Sequence, residues 1–395
     1  MYGHANIVVA IGGGPTAVAN DCLLGVVEEA RQVDKVDNLL GAVHGIKGIL
    51  KGDLPEVSVG IDGRFSGFGP GAFLGSCRYS MQNGDYYKIL EVFRMKGIRY
   101  AIFMGGEGTM SMLSKLKGYA RKTRTDLALI GVPMTVDNDI TATDHCLGYG
   151  SAARFYATSV MEVGIDAKSL PPPVTVFETM GRDSGWLAAS TILARETEED
   201  PPHLVLLPEC PFDKELFLER VHSIHRDLGY VLVVVSEGLK EPKARSLSMG
   251  EDANRDEFGH PLYGGVGRYL CHLVSSRLGL RARDEKPGLL ARCCMSLISR
   301  TDQNEAHRLG EEAVRYAVQR GTSGMLALKR KNQNIYACET ELIPFPNKGD
   351  GTRLVPDHFI SGEKGQISKD FLDYLKPLIG DPIPRYRSLE EFPAG

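Results

Sequence analysis

Four short turns in this 395-residue chain hold groups that can handle phosphate, metal ions and protons. The first, Gly12-Gly13-Gly14-Pro15-Thr16-Ala17, follows the apolar run Ile7–Ile11 and precedes a helical stretch over Asn20–Arg31. Glycines let a backbone approach a phosphate, and a following helix offers free N–H groups at its positive end. As G-x-G-x-x-A it also fits a loose dinucleotide fingerprint, which needs an acidic residue closing the second strand. Ala42-Val43-His44-Gly45 supplies none, which disfavours a nicotinamide dehydrogenase.

The second turn, Gly105-Gly106-Glu107-Gly108-Thr109, adds a carboxylate and a hydroxyl to the glycines. A carboxylate beside phosphates repels them unless a cation lies between, so Glu107 reads as a ligand of Mg²⁺ or of its water. The third, Pro133-Met134-Thr135-Val136-Asp137-Asn138-Asp139, places two carboxylates two residues apart, a pattern suited to holding metal and abstracting a proton. The fourth, Met180-Gly181-Arg182, provides a fixed positive charge for a phosphoryl group in transfer. Pro208-Glu209 stands in the same position after another apolar run and can bind sugar hydroxyls. Singly, these are a tight turn, a solvated Asx turn, a surface ion pair and a helix-start carboxylate. Their shared place after strands is what points to one site. Walker A, protein-kinase, Ser-His-Asp and zinc-protease patterns do not occur in the sequence.

The elements that position these turns are predicted as strands at Ile7–Ile11, Tyr100–Met104, Leu127–Val132, Val174–Phe177, Leu204–Leu207 and Tyr230–Val235. They are continuously apolar, as parallel strands covered on both faces must be. Amphipathic stretches such as Asp85–Lys96 and Lys214–Asp227 separate them, and a further helical pattern covers Lys369–Leu378. The β-loop-α repetition predicts α/β layers with right-handed crossovers, arranged as two lobes with a cleft between. Ligands of such sheets bind where strand carboxyl ends open into a crevice. Pro171-Pro172-Pro173 reads as a stiff joint and Lys240–His260 as a polar surface excursion.

Composition excludes other classes. Apolar residues are 43% and charged residues 24%, enough for a sizeable core and against disorder. A net charge of −4 gives no global reason to expect nucleic acid or an anionic membrane as partner. No apolar run approaches the roughly 20 residues of a membrane span, and the start lacks the features of a signal peptide. Eight cysteines without a C-x-x-C, two of them adjacent at Cys293-Cys294, fit buried reduced thiols and a cytoplasmic location.

Taken together, the turns resemble the phosphofructokinase family. Gly12–Asn20, Leu74-Gly75-Ser76-Cys77-Arg78, Gly105–Thr109, Pro133–Asp139, Met180-Gly181-Arg182, Pro208-Glu209, Ser236-Glu237-Gly238 and Leu290-Ala291-Arg292 come in family order. The resemblance implies two three-layer α/β lobes with mainly parallel sheets and the active site in their cleft. The donor lobe is expected over 1–150 with part of 292–345, and the sugar-phosphate lobe over 151–291 with part of 346–395. It implies Mg²⁺, a homo-oligomer with sites near the interface, and Asp137 as the base for the acceptor hydroxyl. Thr135 and Asp139 would orient that base and the metal, with Glu107 the second metal ligand. Arg182 and the backbone of Gly12, Gly13 and Gly14 would steady the transferred group. Arg78, Gly106, Gly108 and Thr109 fall on the donor side, and Met180, Gly181, Glu209, Arg283 and Arg292 on the sugar side.

Several positions depart from the family pattern. Pyrophosphate-using members usually carry Asp where Gly108 stands and Lys where Met134 stands. Gly108 leaves open the space an ATP α-phosphate needs, whereas chain length and segments such as Pro211-Phe212-Asp213 resemble the pyrophosphate-using branch. The reading leans slightly to ATP. Pro173 and Leu289 replace two residues that grip the sugar's 6-phosphate, leaving Arg283 and Lys286 as the cations there. Each charge-assisted contact contributes roughly 1.5–3 kcal/mol. The default acceptor is fructose 6-phosphate at its 1-hydroxyl. The alternatives are a different sugar phosphate or polyol, or a regulatory phosphofructokinase-like subunit without catalysis.

Overall fold

A computed structural model describes residues 5–57, 69–170, 174–240, 265–331, 335–346, 351–361 and 366–386. The Pro171–Pro173 joint and all but the first residue of the Lys240–His260 excursion lie outside the described residues. In chain order, the first part comprises β1 (Ala5–Ile11), α1 (Ala19–Ala30), β2 (Val36–Gly41), α2 (Ile46–Lys51), α3 (Asn83–Met95), β3 (Ile98–Gly105), α4 (Glu107–Lys122) and β4 (Ala128–Pro133). Next come α5 (Tyr149–Ser169), β5 (Val174–Thr179), α6 (Trp186–Ser190), β6 (Leu204–Leu206), α7 (Lys214–Leu228), β7 (Val231–Ser236), α8 (Val266–Leu278) and β8 (Ala282–Glu285). The last are α9 (Leu290–Cys293), α10 (Arg300–Arg315), β9 (Gly324–Arg330), β10 (Cys338–Ile343) and α11 (Lys369–Leu375).

These form two sheets. The larger runs β10-β9-β4-β3-β1-β2, parallel except for β10, and the smaller runs β6-β7-β5-β8, all parallel. Side chains alternate between the faces of a strand, and both faces are covered. Ile7, Val9 and Ile11 pack toward α1 and α10, whereas Val8 and Ala10 pack toward α2, α3 and α4. In the smaller sheet Val231, Val233 and Val235 face α7 and α8, while Leu232 and Val234 face α5, α6 and α11. The expected two three-layer α/β units with mainly parallel sheets are therefore present. Among the described residues no helix is long and apolar enough to cross a membrane.

Strand order reverses beside β1, which has β3 on one flank and β2 on the other. Their carboxyl ends diverge there and leave the crevice in which such sheets bind ligands. The helix pair α1/α10 fixes the layer behind it through backbone contact. A Cβ added at Gly25 would lie 2.0 Å from the His307 carbonyl oxygen, and one at Gly310 would lie 2.1 Å from that of Cys22. Overpacking so close a crossing is costly. Gly25→Val is expected to lower unfolding stability by about 1–3 kcal/mol or more, read as a lower urea midpoint; an unchanged midpoint would contradict this packing.

Candidate active site

The four turns meet at the carboxyl edges of the two sheets. After β1, the Gly12 amide donates to the Met104 carbonyl at 2.9 Å and the Gly13 amide to that of Cys77 at 3.1 Å. Ser76 Oγ donates to the Gly13 carbonyl at 2.7 Å, fixing the loop from the opposite side. Gly13 has φ of +78°, which a side chain would strain. α1 begins at Ala19, next to the expected Asn20, so several residues separate its amides from this loop. The glycine turn that runs straight into a helix is the second, with Gly106 immediately before the 16-residue α4. Glu107 and Gly108 form the first turn of α4 and are exposed, so the free amides and positive dipole end lie here. Thr109 wedges against the neighbouring loop: its hydroxyl would be 2.7 Å from a Cβ on Gly12.

After β4, the Met134 amide continues the ladder to Gly105 and the Thr135 amide reaches the Leu147 carbonyl. Asp137 donates its amide to Thr135 Oγ1 at 3.2 Å. Asn138, fully buried between the two aspartates, has φ of +55°. Burial raises the Asp137 carboxyl above the ordinary carboxylate range, opposed by the positive charges of Arg182, Arg292 and Arg78. Asp139 is pushed up to about 7 by burial and by its neighbours Asp137 and Glu107. Its Oδ1 is buried with no hydrogen-bond partner among the described residues. A polar atom left so is costly unless something absent from the protein satisfies it. A hard divalent cation held by Asp139 and Glu107 would do so and would relieve the repulsion. These carboxylates do not form a cluster in which three ligand atoms lie within 4.8 Å, as two other groups among the described residues do. Such openness suits Mg²⁺, which keeps waters and leans on phosphate oxygens.

Further along, His145 anchors the segment that follows. Its ring nitrogens lie 2.9 Å from Asp144 Oδ2 and 2.6 Å from Glu305 Oε2. Burial alone would lower this imidazole, but the two carboxylates outweigh it and push it up to about 9.

From the smaller sheet, the Met180 amide donates to Tyr156 Oη at 2.9 Å, and Gly181 adopts φ of +125° with its carbonyl bound by Ser236 Oγ. Ser184 Oγ donates to the Asp137 carbonyl at 3.2 Å and ties the fourth turn to the third. Arg292 reaches right across the crevice: a Cβ on Gly14 would stand 2.5 Å from its Nη1. Glu209 accepts the Gly185 and Val355 amides on Oε1, at 2.9 and 3.0 Å, while its Oε2 is buried and unpartnered.

Arg283 is not brought to this cluster within the chain. It pairs in register with Thr175, four residues short of Thr179 at the end of β5. Its guanidinium bonds Asp166 at 3.1 Å and Thr175 Oγ1 at 3.4 Å instead. Lys286 is drawn to Glu178 at 2.6 Å and to Glu237 at 3.7 Å.

Sequence reasoning quoted one feature within a motif without giving it a role, and missed a second. Glu237, at the end of β7, is pushed up to about 7 by burial, with Asp137 and Arg182 among its electrostatic neighbours. Its place after a strand, like that of the other turns, was the available signal. The second is the apolar side of a cleft of about 210 Å³, where Ile46, Tyr79, Met81, Phe103 and Met112 join the glycine loops and Met134 in the lining. These apolar positions come from separate elements, and no linear motif joins them.

Comparison with known proteins shows the family and the fold. The phosphofructokinase family model matches residues 6–317. A pyrophosphate–fructose 6-phosphate 1-phosphotransferase of Halomonas elongata is 34% identical over 395 residues, covering 97% of this chain and 94% of its own. A sulfofructose kinase of Alkalicoccus urumqiensis is 33% identical over 365 residues, covering 90% and 92%. The crystal structure of a pyrophosphate-dependent phosphofructokinase from Marinobacter aquaeolei superposes with a TM-score of 0.84 at 33% identity, covering 97% of this chain and 94% of that one. With both sheets, their connecting turns and the order of the motifs accounted for, the chain belongs to the phosphofructokinase family of phosphotransferases.

Proposed function

We propose that this protein transfers the terminal phosphoryl group of a magnesium-bound polyphosphate, ATP or pyrophosphate, to the 1-hydroxyl of fructose 6-phosphate. The setting of Asp137 carries this reading. It is a half-buried carboxyl on the turn that follows β4, raised above its ordinary range by desolvation yet faced by Arg182, Arg292 and Arg78. A carboxylate so placed accepts the proton of an alcohol, and the surrounding cations offset charge on the transferring group. Thr135 Oγ1 fixes the backbone of the base. Asp139 and Glu107 hold the metal, which when bound neutralises phosphate oxygens. Gly13, Gly14, Gly106, Gly108 and Thr109 form the donor cradle, with Arg78 beside it. Met180, Gly181, Glu209 and Arg292 face the sugar. In this assignment residues 1–150, with part of 292–345, make the donor lobe. Residues 151–291, with part of 346–395, make the acceptor lobe.

The two donors have different support. The names of the Halomonas and Marinobacter relatives favour pyrophosphate, against the slight lean to ATP read from the sequence. The site residues favour ATP: a Cβ on Gly108 would meet nothing within 4 Å, and the apolar cleft suits a nucleobase. Pyrophosphate would fill the glycine-lined part of that cleft and leave its apolar side unused. The acceptor also has a second reading, sulfofructose, on the strength of the Alkalicoccus relative. Leu289 is 62% exposed where the family resemblance calls for His or Tyr, and Arg283 is turned to Asp166. A sulfonate carries less charge than a phosphate dianion and needs fewer cations.

Three outcomes test this function. Asp137→Asn is expected to lower kcat by about 10²–10⁴-fold with donor affinity little changed; retained turnover would remove Asp137 from the base role. Asp139, at about 7 in the folded chain, is mostly protonated at pH 6 and must lose its proton to hold a cation. Mg²⁺ should therefore raise the melting temperature more at pH 8 than at pH 6, and an equal or reversed shift would contradict the metal assignment. Initial rates with ATP and pyrophosphate, each against fructose 6-phosphate and sulfofructose, identify the substrates. Gly108→Asp should suppress ATP turnover selectively, and unchanged ATP turnover would leave pyrophosphate as the better reading.

A further inference from the structure

One side chain from the last described stretches of the chain reaches the turn that carries both aspartates. That turn is under backbone strain, because Asn138 takes the left-handed conformation without being glycine. Its side chain is fully used in holding it: Oδ1 accepts the Cys146 amide at 2.9 Å and Nδ2 donates to Tyr374 Oη at 3.4 Å. The outward-facing carbonyls of the turn are met by Arg353. Its Nη1 donates to the Asn138 carbonyl at 3.1 Å, and its backbone amide donates to that of Asp139 at 2.8 Å.

Arg353 is itself fixed from two sides. Its guanidinium lies 4.1 Å from the centre of the Trp186 ring, and Trp186 Nε1 donates to the Arg353 carbonyl at 2.9 Å. Two residues on, the Val355 amide is bound by Glu209 Oε1. A guanidinium can stack on an indole and donate in its own plane at once, which an ammonium does less well. We propose that Arg353 is a positioning residue that clasps the Asn138 and Asp139 carbonyls and holds the strained turn in the conformation aiming Asp137 and Asp139 into the cleft. This rests on the assignment of Asp137 as the base. Arg353 does not touch the reacting groups; it acts through the turn.

Reactions of this kind lose about 10²-fold for a displacement near 1 Å. In the full-length protein, Arg353→Met is expected to lower kcat roughly tenfold to hundredfold while the KM values for donor and acceptor stay within about threefold. Arg353→Lys should fall between it and the parent. Because Trp186 is the chain's single tryptophan, its emission reports the clasp directly and should change in Arg353→Met. In Arg353→Ala, which vacates the slot over Trp186, added guanidinium ion should restore part of the lost kcat. A kcat within twofold of the parent in a folded Arg353→Met variant, alongside an inactive Asp137→Asn, would overturn the proposal. So would a loss confined to KM. If Asp137→Asn remains active, the base assignment fails, and the clasp's purpose fails with it.

Discussion

Two carboxylates two residues apart, sunk at the end of a buried strand, set the terms for the rest of this molecule. Removing a charged group from water is costly unless opposite charge or hydrogen bonds replace the lost hydration. Asp137 has its compensation in Arg78, Arg182 and Arg292, of which the last two come from the far side of the cleft. Asp139 has less: one of its oxygens lacks any partner among the described residues. A cation beside Asp139 would correct that imbalance between the two carboxylates.

The fold supplies this arrangement through the direction of its strands. Parallel strands bring all their carboxyl ends to one edge, so β1, β3 and β4 deliver the glycine turns and the aspartate turn together. Close contact between these turns depends on missing side chains, as at Gly12 against Thr109 and Gly14 against Arg292. The second sheet then delivers Arg182 in the same sense. Ser184, donating to the Asp137 carbonyl, makes the junction between the two halves a matter of hydrogen bonding as well as packing.

Much of this was legible in the sequence because buried parallel strands leave continuous apolar runs, and the chemistry follows each run immediately. All six strands expected from such runs are present. β8 was not legible, since Ala282-Arg283-Asp284-Glu285 is an edge strand with a polar sequence. Nor was β10, which pairs antiparallel at the other edge and carries Glu339 and Glu341. Arg283 lies away from the cluster within the chain for a related reason: its register on β8 decides where it points, and register is a property of pairing rather than of the local sequence. Arg353 lies more than 200 residues from Asn138 along the chain, and no spacing rule connects them.

The central claim is that Asp137 is a desolvated carboxyl facing arginines, poised to gain a proton. Its ionisation can be followed directly by ¹³C NMR of aspartate carboxyls, with its resonance assigned by its loss in the Asp137→Asn variant. The account predicts a midpoint clearly above the ordinary aspartate value of 3.8, reached from the folded state. A midpoint at or below that value would show a solvated or fully ion-paired aspartate and would contradict the account.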